Sequence, residues 1–244
     1  MKYFLVSISI WALLPVEALH AASLNWGFSP TDPPPYVVTR DGQLGNSLTR
    51  AIGERVAQEL GWQLQFVDTP NARIDEALET GRIDLICNTQ PDWHARAEHL
   101  LWTNVLYHDA DVLVVPEGEP APHSVSALHG KIVGTSLGYH YAPALTEAFD
   151  KGLVQRLDVR DIETRLRMLQ RGRLHASVDL RRAVSHLIRQ HRLEGLRVSQ
   201  WSLEEMALSC VIGIQEQARA EQLRDVINRL QEEGEINELV SLFD

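Results

Sequence analysis

Apolar residues recur four apart in Ser47–Leu60, where Leu48, Ile52, Val56 and Leu60 share one helical face and Gly61 follows as a stop. Trp62–Val67 alternates apolar and polar positions and predicts a strand, as does Leu24–Phe28. Between them, Pro30 and Pro33-Pro34-Pro35 force an extended loop. A short helix over Ile74–Thr80 leads into an apolar strand over Ile83–Cys87, and Asp111–Pro116 reads as a further strand. The second half repeats the plan. Strands are expected at Lys131–Thr135 and His175–Val178, and helices at Tyr141–Lys151, Glu163–Gln170 and Arg182–Gln190. Leu203–Ile214 reads as a strand returning the chain to the first half. Gln217–Gln231 is amphipathic through Leu223, Ile227 and Leu230, and Ile236–Phe243 closes the chain.

One unit occurs in both halves. Ala77–Cys87 and Arg165–Asp179 each contain a helix end, a Gly, a basic residue and a short apolar strand. A helix that stops at Gly and feeds a buried strand belongs to a parallel α/β sheet. Two such units predict two α/β lobes, each with its own sheet, joined by crossings near 107–113 and 200–208. Two lobes around a cleft suit a ligand clamp better than a single-core enzyme.

Composition narrows the partners. The 244 residues carry a formal net charge of −10, with 44% hydrophobic and 23% charged residues, as in ordinary globular chains. That balance argues against nucleic acid as a partner. The basic run Arg181-Arg182 and Arg189–Arg192 reads as a solvated helix face. No metal or other cofactor is expected: His94 and His99, like His186 and His191, stand five apart and do not share a helix face. Ser136 and Ser177 lack a nucleophile-elbow context.

At the N-terminus, Lys2 precedes a mostly apolar run from Phe4 to Leu14, and small residues follow at Ala18, Ala21 and Ala22. This matches a secretory signal, with cleavage after Ala21 or Ala22 and a periplasmic destination. Met1–Ala22 is expected to lie apart from the lobes. Only Cys87 and Cys210 are cysteines, both in apolar runs. Two buried free thiols is the simplest reading, although an exported protein lives where disulfides form.

Several motifs together resemble the family 3 extracytoplasmic solute-binding proteins, the amino-acid-binding components of ABC importers. They are Pro34-Pro35-Tyr36, Asp41–Gly45, Glu79–Asp84, Leu128–Gly134, Leu169–Asp179, and the ending Leu230–Ile236 through Leu242-Phe243. The resemblance spans Leu24–Phe243. It implies a two-lobed α/β fold of the type II periplasmic-binding-protein class with two hinge crossings. Residues 1–22 would be the signal peptide, 23–108 with 205–244 the first lobe, and 109–204 the second. It further implies a monomeric, non-catalytic protein that takes an amino acid or related solute, serving an ABC permease or a membrane sensor. The alternative is an exported enzyme on the same scaffold, like cyclohexadienyl dehydratase, with Asp92 or Asp179 as its acid.

By the same resemblance, Arg96, just after a strand and near a helix start, grips the ligand carboxylate, because a guanidinium makes two parallel bonds to it; the alternative is an exposed arginine on a helix over Ala95–Leu100. Asp179 meets the ammonium group, caps the following helix, or does both. Tyr36, Thr89, Gln90, Trp93, Tyr139 and His140 complete the site. Cys87 and Cys210 would be neighbours, since the returning strand would lie beside Ile83–Cys87. The chain departs from the family where Leu44–Leu48 lacks the usual acid, where Asn88–Trp93 replaces a Ser/Thr-rich loop, where Gly138-Tyr139-His140 replaces Gly-Thr-Thr, and where Asn71 replaces an aromatic. The charged anchors are kept and the shell around them is rewritten.

Overall fold

A computed structural model describes residues 22–137, 139 and 141–243. The expected signal segment therefore lies outside the described residues except for Ala22, and so does its expected separation from the lobes.

In chain order the first lobe contains β1 (Ser23–Phe28), a small hairpin of β2 (Thr39–Arg40) and β3 (Gln43–Leu44), α1 (Leu48–Leu60), β4 (Gln63–Asp68), α2 (Ile74–Glu79), β5 (Leu85–Thr89) and β6 (Leu101–Trp102). The chain crosses on β7 (Tyr107–Pro116). The second lobe contains β8 (Ile132–Thr135), α3 (Pro143–Asp150), β9 (Gln155–Asp158), α4 (Ile162–Gln170), β10 (Ala176–Leu180) and α5 (Arg181–His191). β11 (Leu196–Ile212) returns to the first lobe, where α6 (Gln217–Glu232) and α7 (Glu235–Ser241) pack.

The helix boundaries follow local chemistry. Ser47 caps α1 by accepting the Arg50 N–H, and Gly61 ends it at φ 66°. Buried Leu48, Ile52 and Val56 join Leu24 and Trp26 of β1 and Leu223, Ile227 and Leu230 of α6 in one core. The second lobe has cores on two sides, one around Leu113, Val133 and Leu145 and one around Val114, Leu166 and Leu187.

Two expectations about the strands change. The returning strand is 17 residues long, starting at Leu196 rather than Leu203. Its first part pairs antiparallel with β7, from Leu196 opposite Pro116 to Leu208 opposite Tyr107, and its end pairs with β5 and β6. The two crossings therefore form a ribbon, and hydrogen bonding runs unbroken in the order β4-β1-β5-β11-β7-β10-β8-β9. Separate sheets were expected. The lobes instead hang as two parallel blocks, β4-β1-β5 and β10-β8-β9, on a shared antiparallel pair. β9 was not foreseen: all four of its residues are exposed, so it carries no apolar period.

Cys87 and Cys210 form a disulfide, which corrects the free-thiol reading. The antiparallel return of β11 beside β5 brings them together at a register shift between Ser209 and Val211. Both are buried.

Candidate functional site

The polar residues between the lobes gather on the crossing strands and on the loops that meet them. The proline-rich loop after β1 turns the chain so that Tyr36 is buried. The Tyr36 hydroxyl donates to Asp109 Oδ2 on β7. Asp109 Oδ1 accepts the Ala110 N–H at 2.7 Å and the Arg182 N–H at 3.3 Å. The first turn of α5 is thus capped from another strand, because Leu180 at its N-cap position provides no side-chain cap. Tyr36 stacks on Tyr107 with centroids 6.3 Å apart, and the Arg182 guanidinium lies 5.6 Å from the Tyr107 ring centroid. First-lobe loop, crossing strand and second-lobe helix are therefore tied at one point.

Beside this junction, Asn88, next to last in β5, sits at φ 61°, a left-handed conformation that Asn tolerates better than most residues. Its Oδ1 accepts the Tyr107 hydroxyl, and its Nδ2 donates to Thr49 Oγ1 at 3.0 Å. Asn88 also hydrogen-bonds Asp32, whose carboxyl is pushed up to about 7 by burial. By accessible surface, Asp32 is half-buried. Burial likewise holds the Tyr36 and Tyr107 hydroxyls protonated, which keeps them as donors.

On the second-lobe side, Asp111 is buried on β7 and accepts the Tyr139 hydroxyl at 3.3 Å. Burial, with the Asp179 charge behind it, pushes its carboxyl up to about 7. Asp179 pairs with Arg165 of α4, and both side chains are almost wholly enclosed. Arg165 further donates to Val159 O at 2.6 Å and Ser136 Oγ at 2.9 Å, while Ser177 Oγ donates to Asp179 at 2.8 Å. Burial pushes the Asp179 carboxyl up, and Arg165 and Ser177 draw it back down. A cavity of about 330 Å³ opens between α5 and the crossing strands, against Asp109, Arg182, Ser185, Arg189 and Glu205.

The anticipated site residues are placed as follows. Arg96 does not sit on a helix; a short 3-10 turn over Ala97–His99 follows it. Its side chain is 59% exposed and pairs with Glu79 at the end of α2. Asp179 is held by Arg165 and does not cap α5; that role falls to Asp109. No contact joins Arg96 to Asp179 among the described residues. Tyr36 is buried, with its hydroxyl given to Asp109, rather than open to a ligand. Thr89 bonds His94 at 2.7 Å, Gln90 is half-buried, and Trp93 is 50% exposed. Tyr139 reaches Asp111, whereas His140 lies outside the described residues. Asp92, the other acid considered, is exposed in a turn.

Sequence reasoning missed Asp32, Asp109, Asp111 and Arg165. A signal existed for three of them. Asp109 and Asp111 alternate into a largely buried, mostly apolar strand, and Arg165 sits four before Leu169 on the buried stripe of α4. Asp32 gives no such signal, because it lies in a loop.

Residues 24–243 match the bacterial extracellular solute-binding proteins, family 3, and the chain belongs to that family. The GluR0 ligand-binding core in complex with L-glutamate has the same fold, with a TM-score of 0.73 at 18% identity, covering 91% of this chain and 98% of that one. An ancestral arginine-binding protein bound to arginine gives 0.69 at 18% identity, covering 92% and 99%. Membrane-bound lytic murein transglycosylase F of Shewanella oneidensis is 35% identical over 99 residues, or 40% of this chain. The chain spans about a fifth of the length of that relative. No helix among the described residues is long and apolar enough to cross a membrane.

Proposed function

We propose that this family 3 solute-binding protein acts outside the cytoplasm, in the periplasm, and captures a small polar solute bearing an amino group. An amino acid or a close relative is the leading candidate, and an ABC permease or a membrane sensor receives the closed form. Residues 23–108 with 205–244 form one jaw and 109–204 the other, and the β7–β11 ribbon is the hinge.

The observation that carries this reading is a pair of desolvated carboxyls, Asp32 and Asp111, whose hydrogen bonds among the described residues come from Asn88 and Tyr139 rather than from a cation. A ligand ammonium would supply the missing charge. Arg96 remains the group for a ligand carboxylate. Its bond to Glu79 is a surface ion pair, worth about 0–1 kcal/mol, and a ligand can take its place at little cost. Thr89, Gln90, Trp93, Tyr139 and His140 complete the reading, while Asp179 and Tyr36 are committed to Arg165 and Asp109.

Thermal shift and calorimetry with the common L-amino acids test it. Removing one partner of a buried charge pair costs about 2–5 kcal/mol, so Asp111→Asn should weaken the best binder roughly thirty-fold or more. Binding should strengthen as pH rises through about 7, because the ammonium needs the ionised carboxylates. Without ligand the sign reverses. A raised carboxyl favours the fold fully below its unfolded value near 3.8, and this contribution is lost as pH rises to about 7. The Asp111→Asn variant should therefore show a flatter fall in stability over that range. If no amino acid shifts the melting temperature, the reading fails.

A lyase on the same cleft is the second reading. Carboxyls near 7 suit proton transfer at neutral pH. Chemical change of the bound ligand under excess protein would favour it over a receptor.

A further inference from the structure

Asp75, His94 and Thr89 form a chain of hydrogen bonds at the carboxyl end of β5. Asp75 Oδ1 lies 2.6 Å from His94 Nδ1, and Asp75 Oδ2 accepts the Ala95 backbone N–H at 3.1 Å. His94 Nε2 lies 2.7 Å from Thr89 Oγ1. The three residues come from α2, from the loop after β5, and from β5 itself. The imidazole is closed in, with its side chain 3% exposed and its ring edge-on to Trp102 at 5.3 Å.

This order of groups fixes proton positions. A carboxylate that accepts at both oxygens holds His94 Nδ1 as the donor. In the neutral ring, Nε2 is then an acceptor. The Thr89 hydroxyl must give its only hydrogen to Nε2, and what it offers elsewhere is its lone pairs. Thr89 sits at the strand end where ligands of open α/β sheets bind.

We propose that Asp75 and His94 are positioning residues that hold the Thr89 hydroxyl as an acceptor for an N–H group of the ligand in the cleft. The inference rests on the ligand reading above, and it adds the polarity of one contact. It also predicts that Asp75, although about a third exposed, contributes to affinity without touching the ligand.

Nitrogen-15 NMR of the intact protein tests the relay without any ligand. The His94 signals, identified by their loss in His94→Gln, should show a protonated Nδ1 and a bare Nε2. Calorimetry tests its consequence, using the common L-amino acid that gives the largest thermal shift. Loss of one hydrogen bond predicts a fall in affinity of about three- to tenfold in Thr89→Val. Thr89→Ser should restore most of that loss. Asp75→Asn should weaken binding in the same direction, and adding it to Thr89→Val should weaken it no further. A protonated Nε2 in the wild type would overturn the relay, as would full affinity in Asp75→Asn or additive losses in the double variant. Failure of every amino acid to bind would instead overturn the ligand reading, and the tautomer would still decide the relay.

Discussion

The stretch Gly81–Thr89 in the first lobe and Gly172–Leu180 in the second run the same course. Each Gly ends a helical segment in the left-handed region, at φ 71° and 69°. Two residues on, Ile83 and Leu174 bury against a glycine of the neighbouring strand. A Cβ on Gly27 would lie 2.7 Å from Ile83 Cδ1, and one on Gly134 would lie 2.7 Å from Leu174 Cδ1. The next residue closes the start of that strand: Asp84 accepts the Asn25 N–H at 2.7 Å, and His175 Nδ1 accepts the Ile132 N–H at 3.0 Å.

The copies diverge at their ends. In the first lobe, Cys87 is bonded to β11 and Asn88 to Tyr107 of β7, so the strand end is fastened to both crossings. In the second, Val178 is plain core, and Asp179 turns to Arg165 of its own lobe. The difference shows that one lobe is pinned to the hinge, while the other keeps its charge inside itself. A charge consumed inside a lobe is a poor ligand anchor, which is why the proposed anionic wall is Asp111 and Asp32 instead.

The largest expected effect breaks the second copy. Arg165→Leu leaves Asp179 buried without its cation and should cost about 3–5 kcal/mol by denaturant unfolding. Replacing both residues by apolar ones should recover most of it; a double variant no better than the single one would show that packing, not charge, is at stake. Next, removing the bond in the first copy with Cys210→Ser should cost about 2–4 kcal/mol. Adding reductant to the unfolded wild type before refolding should give a similar loss. Third, Gly27→Ala and Gly134→Ala test what the copies share. Overpacking of this kind costs about 1–3 kcal/mol, and Gly27 should suffer more because the Leu85 carbonyl would also lie 3.2 Å away. Equal tolerance at both sites would mean that the close strand–strand approach is not required. The smallest effect is that of Arg96→Ala, which should change stability by no more than about 0.5 kcal/mol while lowering affinity for a carboxylate ligand. Unchanged affinity would remove Arg96 from the site.

Much of the fold was legible because it rests on local rules. The four-residue period and the Gly stop fixed α1, and the two Gly-bounded units announced the two lobes. The first part of β11 stayed hidden because five of its first eight residues are only half-buried and two are exposed, so it carries little apolar signal before the strand reaches the first lobe. The site was less legible. The role of Asp179 depended on which cation would reach it, and Arg165 lies 14 residues earlier on a different element.

By itself, the sequence determined the family, the paired α/β lobes and the positions at which strands end, because periodicity, glycine punctuation and motif order are properties of neighbouring residues. Only the tertiary structure decided which charges are already satisfied. Pairing of Arg165 with Asp179, of Tyr36 with Asp109, and of Cys87 with Cys210 joins residues 14, 73 and 123 positions apart. Desolvation of Asp32 and Asp111 likewise depends on what folds over them, since the energy of a carboxyl is set by its surroundings rather than by its place in the chain.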